Sequence, residues 1–166
     1  MTQWPTVELD PIARLRVMAR TLPGVFMEER VLDAPFDDVW NLVTDFETWV
    51  PQFDSDVDAV RILGRGERGP RIRAYGRLLG RRFGLDVDVE LERGWCWMPS
   101  PYYVVGMGAI PQGNRTRFAH LEGLPLGGPR LVQRMLLPVA WASRFRHSRH
   151  VPRDVDGIER CLASAG

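Results

Sequence analysis

Apolar and polar positions along this chain repeat with two different periods, and the changes of period divide it into elements. Asp10-Pro11 has the form of a helix N-cap followed by a first-turn proline. Ile12, Leu15, Met18, Ala19 and Leu22 then recur at helical spacing until Pro23-Gly24 stops the run. "VFMEERVLDAP" reads as a strand. "PFDDVWNLVTDFETWV" reads as a second helix, with Val39, Leu42, Val43 and Phe46 on one face, Asp33 or Pro35 at its start and Pro51 at its end.

Further on the period drops to two. "RIRAYGRLL" (71–79) and "FGLDVDVELER" (83–93) both alternate and fold against each other as a hairpin. Placing Arg71 opposite Glu92, Arg73 opposite Glu90 and Arg77 opposite Asp86 joins opposite charges on one face. The same register sets Ile72 against Leu91, Ala74 against Val89 and Leu78 against Leu85 on the other. These arginines therefore read as a solvated salt ladder rather than an anion site. "YYVVGMGAI" (102–110), the turn "PQGN" and "RTRFAHLEGL" (115–124) make another hairpin. From Pro129 the chain reads as helix, interrupted at Pro138 and restarting near Pro152, with Val151, Val155, Ile158 and Leu162 as its apolar stripe. This order predicts an α+β fold in which an antiparallel sheet wraps a helix.

Composition narrows the function classes. A chain of 166 residues fits one domain, and it can bury roughly 70% of its unfolded surface without metal or disulfide support. All 22 basic residues are arginine, yet the net charge is only +1, which argues against a general nucleic-acid binder. No apolar run approaches the ~20 residues of a membrane helix. Glu8 and Asp10 stand where a secretory signal would carry a basic start and an apolar run. With only Cys96 and Cys161 as thiols, a soluble cytoplasmic protein is expected.

Three stretches resemble the SRPBCC superfamily, the helix-grip fold of START-type lipid-transfer domains, pollen-allergen-like proteins and polyketide cyclases. They are "VLDAPFDDVWNLVTDFETWVPQF" (31–53), "NRTRFAHLEG" (114–123) and "DVDGIERCLAS" (154–164). The likeness is nearest to the bacterial polyketide cyclase/dehydrase group. It implies a seven-stranded antiparallel sheet gripping a long C-terminal helix, with a deep apolar cavity between them. Residues 1–23 would be an N-terminal helical extension and 24–166 the ligand-binding domain. The resemblance also implies a hydrophobic small-molecule ligand, aromatic or poly-keto, and cofactor-free cyclisation, with or without dehydration, in bacterial secondary metabolism such as antibiotic biosynthesis. A non-catalytic carrier or sensor is the rival, and a cochaperone-like interaction module a third class.

Candidate chemistry falls on the late strands. With Arg117 turned to solvent, Phe118, His120 and Glu122 face inward, and a Gly113-Asn114 turn sets them opposite Ala109, Met107 and Val105, a row that Tyr103 continues. Gly106 and Gly108 lie on the other face, and making room there for a helix would count against this phase. His120 and Glu122 would stand ~6.6 Å apart along the strand, leaving room for a substrate atom or water. A histidine inside an apolar cavity is suited to proton transfer. A buried carboxylate must be paired or protonated, so His120 and Glu122 either act on a ligand or satisfy each other. His120, Glu122 and Tyr103 are the expected catalytic groups.

Continuing the 83–93 alternation past Gly94 turns Trp95 and Trp97 inward and Cys96 outward, unless Gly94 is a bulge that flips the phase. The indoles then fill core volume or line a flat ligand. Trp95, Trp97, Val105, Met107, Phe118 and Trp141 are the expected ligand wall. His147 and His150 have helical metal-ligand spacing without an evident third ligand, so no metal is expected. The segment Arg144, Arg146, His147, Arg149, His150, Arg153 reads as a solvated helix face or a dock for an acidic partner such as an acyl carrier protein. Gly64-Arg65-Gly66 lacks the helix of a phosphate loop, and no serine sits in a nucleophile elbow.

Overall fold

The structure, a computed structural model, describes residues 9–78, 81–101, 103–125 and 135–165. The expected helix over 129–134 and the expected strand start at Tyr102 fall outside the described residues. Helix α1 spans Pro11–Thr21, and the Asp10 carboxylate accepts the Ala13 N–H as its N-cap. Strand β1 is Gly24–Leu32. Helix α2 is Phe36–Thr44, with Pro35 at its N-cap and without a side-chain cap there. Pro51 does not end that helix. It lies in the first turn of a separate short helix, α3, Val50–Phe53, where its missing N–H costs no hydrogen bond.

Among the described residues, eight strands follow the expected antiparallel scheme but form two sheets. The first has the order β1-β8-β7-β6-β5 and the second β2-β3-β4. Their ranges are Val57–Arg65 (β2), Pro70–Leu78 (β3), Arg81–Asp88 (β4), Glu90–Glu92 (β5), Trp95–Pro99 (β6), Val104–Gln112 (β7) and Arg115–Leu124 (β8). Eight appear instead of seven because the stretch read as one strand, 83–93, changes sheets at Val89. There the backbone N–H of Val89 donates to Pro70 O and that of Leu91 to Arg68 O, so the two sheets stay stitched at the crossing.

The β3–β4 register departs from the expected one. Arg71 faces Asp88, Arg73 faces Asp86, Ile72 faces Val87 and Arg77 faces Arg82. Ion pairing survives the slip, with Arg73 Nη2 donating to Asp86 Oδ2 at 2.7 Å, while Arg77 turns to Asp58 at 3.7 Å. The β7–β8 register is the expected one: Ala109 faces Phe118, Met107 faces His120 and Val105 faces Glu122.

Helix α4, Leu137–Ala165, runs without a break. Pro138 sits in its first turn, and Pro152 is accommodated inside it rather than restarting it. Val155 and Ile158 pack against the inner face of the five-stranded sheet together with α2 and α3, and Val151 is buried beside them on the same helix. A Cβ at Gly157 would lie 2.9 Å from Phe53 Cα, so the glycine lets α3 dock tightly on α4. The outer face of the same sheet is covered by α1 through Ile12 and Leu15. A Cβ at Gly106 would meet Leu15 Cδ2 at 2.6 Å and one at Gly108 would meet Leu15 Cδ1 at 3.0 Å. The glycines do make room for a helix, but it is the N-terminal one, and the inward phase of β7 and β8 stands.

Candidate active site

Between the two sheets and α3 lies a cavity of about 350 Å³, within the size range of small-molecule sites. Its walls are apolar, including Phe46, Phe53, Val60, Ile72, Phe83 and Leu85. One end is polar, formed by Asp54, Asp56, Tyr103, His120 and Glu122. Of the residues singled out from sequence, His120, Glu122, Tyr103, Val105 and Met107 line this cavity.

The others do not. Phe118 shares their strand face but is wholly buried in the core beside the cavity. Trp95 and Trp97 lie on the opposite face, packed with Leu15 and Leu121 under α1, while Cys96 points to the inner core. The reason is the turn. Glu92 pairs directly with Trp95 and Leu91 with Cys96, so Arg93-Gly94 is a two-residue hairpin turn and the chain doubles back instead of continuing. Gly94 has φ +79°, the left-handed geometry such a turn requires. The two indoles stack, Trp95 Nε1 donates to Glu90 Oε1 at 3.0 Å, and the Arg14 guanidinium lies 3.9 Å over the Trp95 ring. Trp141 is 77% exposed on α4 and is not part of the cavity wall.

Glu122 is the centre of the polar end. It is 1% exposed. Tyr103 donates its hydroxyl proton to Glu122 Oε2 at 2.8 Å. His120 Nε2 lies 3.0 Å from Glu122 Oε1, close enough for charge attraction but misaligned for a hydrogen bond, so both ring nitrogens stay without a hydrogen-bond partner. Burial alone would raise the Glu122 carboxyl, but the charge and proximity of His120, the charge of His150 and the Tyr103 hydroxyl outweigh it and hold it at about 2.

Helix α4 supplies the groups that the sequence reading left at the surface. Ser143, His147, His150 and Asp154 share one buried stripe, continuous with Val151, Val155 and Ile158. All three histidines of the chain thus meet at one end of the cavity. His147 Nδ1–H donates to Ser143 O at 2.7 Å, which leaves Nε2 as an acceptor 2.9 Å from the Tyr103 hydroxyl. Burial lowers the His147 pKa, and Arg146 and His150 add to that. One hydroxyl proton then serves two acceptors, Glu122 and His147. Protonating His147 would resolve the competition by letting Nε2–H donate to the tyrosine oxygen, so the three form a proton relay.

Arg146 pairs with Asp56. Arg144, Arg149 and Arg153 are exposed, so the solvated-face reading holds for them and fails for His147 and His150, whose spacing places them on the inward stripe. Asp54 and Asp154 are held well above the ordinary carboxylate range, first by burial and then by the charge of Glu122. Burial and the same charge also push the Tyr103 hydroxyl up.

This geometry can be set beside known proteins. No family model matches the chain, and no curated relative does. Solved structures do. TTHA0849 from Thermus thermophilus superposes with a TM-score of 0.64 at 18% identity, covering 86% of this chain and 99% of that one. A START superfamily protein from Mycobacterium smegmatis gives 0.60 at 15%, covering 86% and 99%. The chain shares the fold of these structures, a helix-grip arrangement of an antiparallel sheet on a long C-terminal helix. An aromatase/cyclase is among its structural neighbours: Zhui from a Streptomyces species superposes at 0.58 with 16% identity, covering 85% and 92%. No helix among the described residues is long and apolar enough to cross a membrane.

Proposed function

We propose that the cavity binds a hydrophobic aromatic or poly-keto molecule and promotes its intramolecular cyclisation. The observation that carries this reading is an apolar cavity with a single reactive end, where His120, Glu122 and Tyr103 converge. A flexible chain held bent against those walls loses the conformers that do not react, and positioning of this kind supplies several kcal/mol. At the polar end, His120 takes a proton from the carbon alpha to a ketone. That carbon forms a bond to a second carbonyl carbon of the same chain, and the new alkoxide takes a proton from the Tyr103–His147 pair. Removal of the remaining proton on the same alpha carbon, with the new hydroxyl protonated and leaving as water, would form the C=C bond of a dehydration. Glu122 stabilises the imidazolium formed at His120.

The rival reading, a carrier or sensor, draws on the fact that Tyr103, Glu122 and His147 already satisfy one another, as groups do when they only orient a ligand. The test is the metabolite profile of the native organism with the gene carrying His120→Ala and Glu122→Gln, the variant checked for folding by circular dichroism. Accumulation of an uncyclised shunt product supports catalysis. An unchanged profile moves these groups to ligand orientation.

A further inference from the structure

Four carboxylates, Asp54, Asp56, Glu122 and Asp154, crowd the middle of α4, where Arg146 pairs with Asp56. All four surround the Nε2 atom of His150, Asp56 Oδ2 lying 3.6 Å from it. That nitrogen lies 3.3 Å from Asp154 Oδ2, 3.4 Å from Glu122 Oε2 and 3.6 Å from Asp54 Oδ1. No hydrogen bond reaches it, nor either oxygen of Asp154, although Asp154 is 0% exposed and the His150 side chain 8%. Buried polar atoms without partners are rare in folded proteins and call for an explanation.

The separations supply one. Ligand atoms about 2.0–2.2 Å from a tetrahedral metal stand about 3.3–3.6 Å from one another, and the carboxylate oxygens of Asp54, Glu122 and Asp154 stand at that distance from His150 Nε2. The ligand atoms of Asp54, Glu122 and His150 all lie within 4.8 Å of one another. We propose that His150 Nε2, Glu122 and Asp54 hold one divalent transition-metal ion of the zinc type.

The rest of the environment agrees with this assignment. His150 Nδ1 faces Ser55 Oγ at 3.4 Å, so its other nitrogen is turned toward the carboxylates, and a ligating histidine commonly has a polar partner on its second ring nitrogen. Imidazole and carboxylate together suit zinc and its neighbours. A dication also removes the crowding that otherwise leaves three buried carboxylates to share too few positive charges. Asp54 and Glu122 line the cavity, so an ion there opens toward a ligand and would polarise its carbonyl oxygen, while His120 remains free as a base. A metal centre of this kind replaces the metal-free site expected from sequence, where only His147 and His150 were weighed as a pair. His147 is not in the set, because its Nε2 meets Tyr103. The site stands whether or not the cavity's ligand is cyclised.

The test uses the full chain, stripped with EDTA and then titrated with Zn²⁺ by calorimetry and with Co²⁺ by visible absorption. The expected result is one equivalent of each, with the absorption band of a low-coordinate cobalt site. His150→Ala and Asp54→Asn should each weaken binding by roughly 10-fold or more, and His147→Gln should leave it unchanged. Cobalt absorbance on the unmodified protein keeps the test decisive if a variant fails to fold. Absence of stoichiometric binding would overturn the proposal, as would binding that survives His150→Ala or is lost in His147→Gln. Those results would leave His150 as an imidazolium counter-charge.

Discussion

The two faces of the five-stranded sheet are made by the same strands and built for opposite ends. On the outer face, Trp95, Trp97, Leu121 and α1 close over Gly106 and Gly108 with apolar contact. On the inner face, one residue along each strand, Tyr103, His120 and Glu122 stand at the edge of a cavity with charges removed from water. Close packing on one side holds the strands rigid enough for an energetically costly arrangement to persist on the other. The aromatic stretch that most invited a ligand-binding reading, "GWCWMP", belongs to the packed side.

Substitutions on the two faces should therefore separate stability from function. Trp95→Ala is expected to cost about 3–5 kcal/mol in denaturant unfolding, as a large cavity in a closed core does, and to leave the affinity of the folded fraction for an aromatic ligand intact. Tyr103→Phe should do the reverse. Product formation is expected to fall roughly 100-fold with the loss of one preorganised donor, with a smaller stability change than Trp95→Ala. Equal stability losses from both would erase the distinction between the faces.

A subtler contrast concerns Asp154 in protein stripped of metal. Its carboxyl is held above the ordinary value of 3.8 by burial and by the charges of Glu122, Asp54 and Asp56 facing it, next to His150. The folded state therefore keeps a proton that the unfolded state releases. That contribution is fully present below the unfolded value and is lost as pH rises toward the folded one. Melting temperature of the stripped protein should fall between about pH 5 and about pH 9, and Asp154→Asn should flatten the decline. Glu122, held at about 2, loses its own contribution only below its ordinary 4.5 and so outside that window. A decline of equal slope in Asp154→Asn would assign it elsewhere. The smallest effect belongs to Trp141→Ala, expected within about 0.5 kcal/mol in stability and without effect on ligand titration, because that ring is 77% exposed on α4.

How far the sequence carries depends on whether the signal is local. Gly113-Asn114 fixed the β7–β8 register, and with it the positions of His120 and Glu122 opposite Met107 and Val105. The β3–β4 hairpin was harder because acids recur at 86, 88, 90 and 92. A register shifted by an even number can still set Arg71 and Arg73 opposite acids, so those two pairs cannot choose among them, and the position of the turn does even though it sets Arg77 opposite Arg82. Trp95 and Trp97 were misplaced by a two-residue turn that reads as a continuing strand. On α4, the spacing of Ser143, His147, His150 and Asp154 matches the apolar stripe that follows and was legible in principle. The approach of Asp54 and Asp56 to that stripe was not, since it depends on α3 docking on residues 90 positions away in the chain.

The central claim is that ligands enter the inner cavity and that the outer face only supports it. The most direct measurement is calorimetric titration of a three-ring anthraquinone into the unmodified protein, Val105→Trp, which fills the cavity, and Trp97→Phe on the outer face. The account predicts one equivalent bound by the unmodified protein and by Trp97→Phe, and none by Val105→Trp. Undiminished binding to a folded Val105→Trp, or its loss in a folded Trp97→Phe, would contradict it.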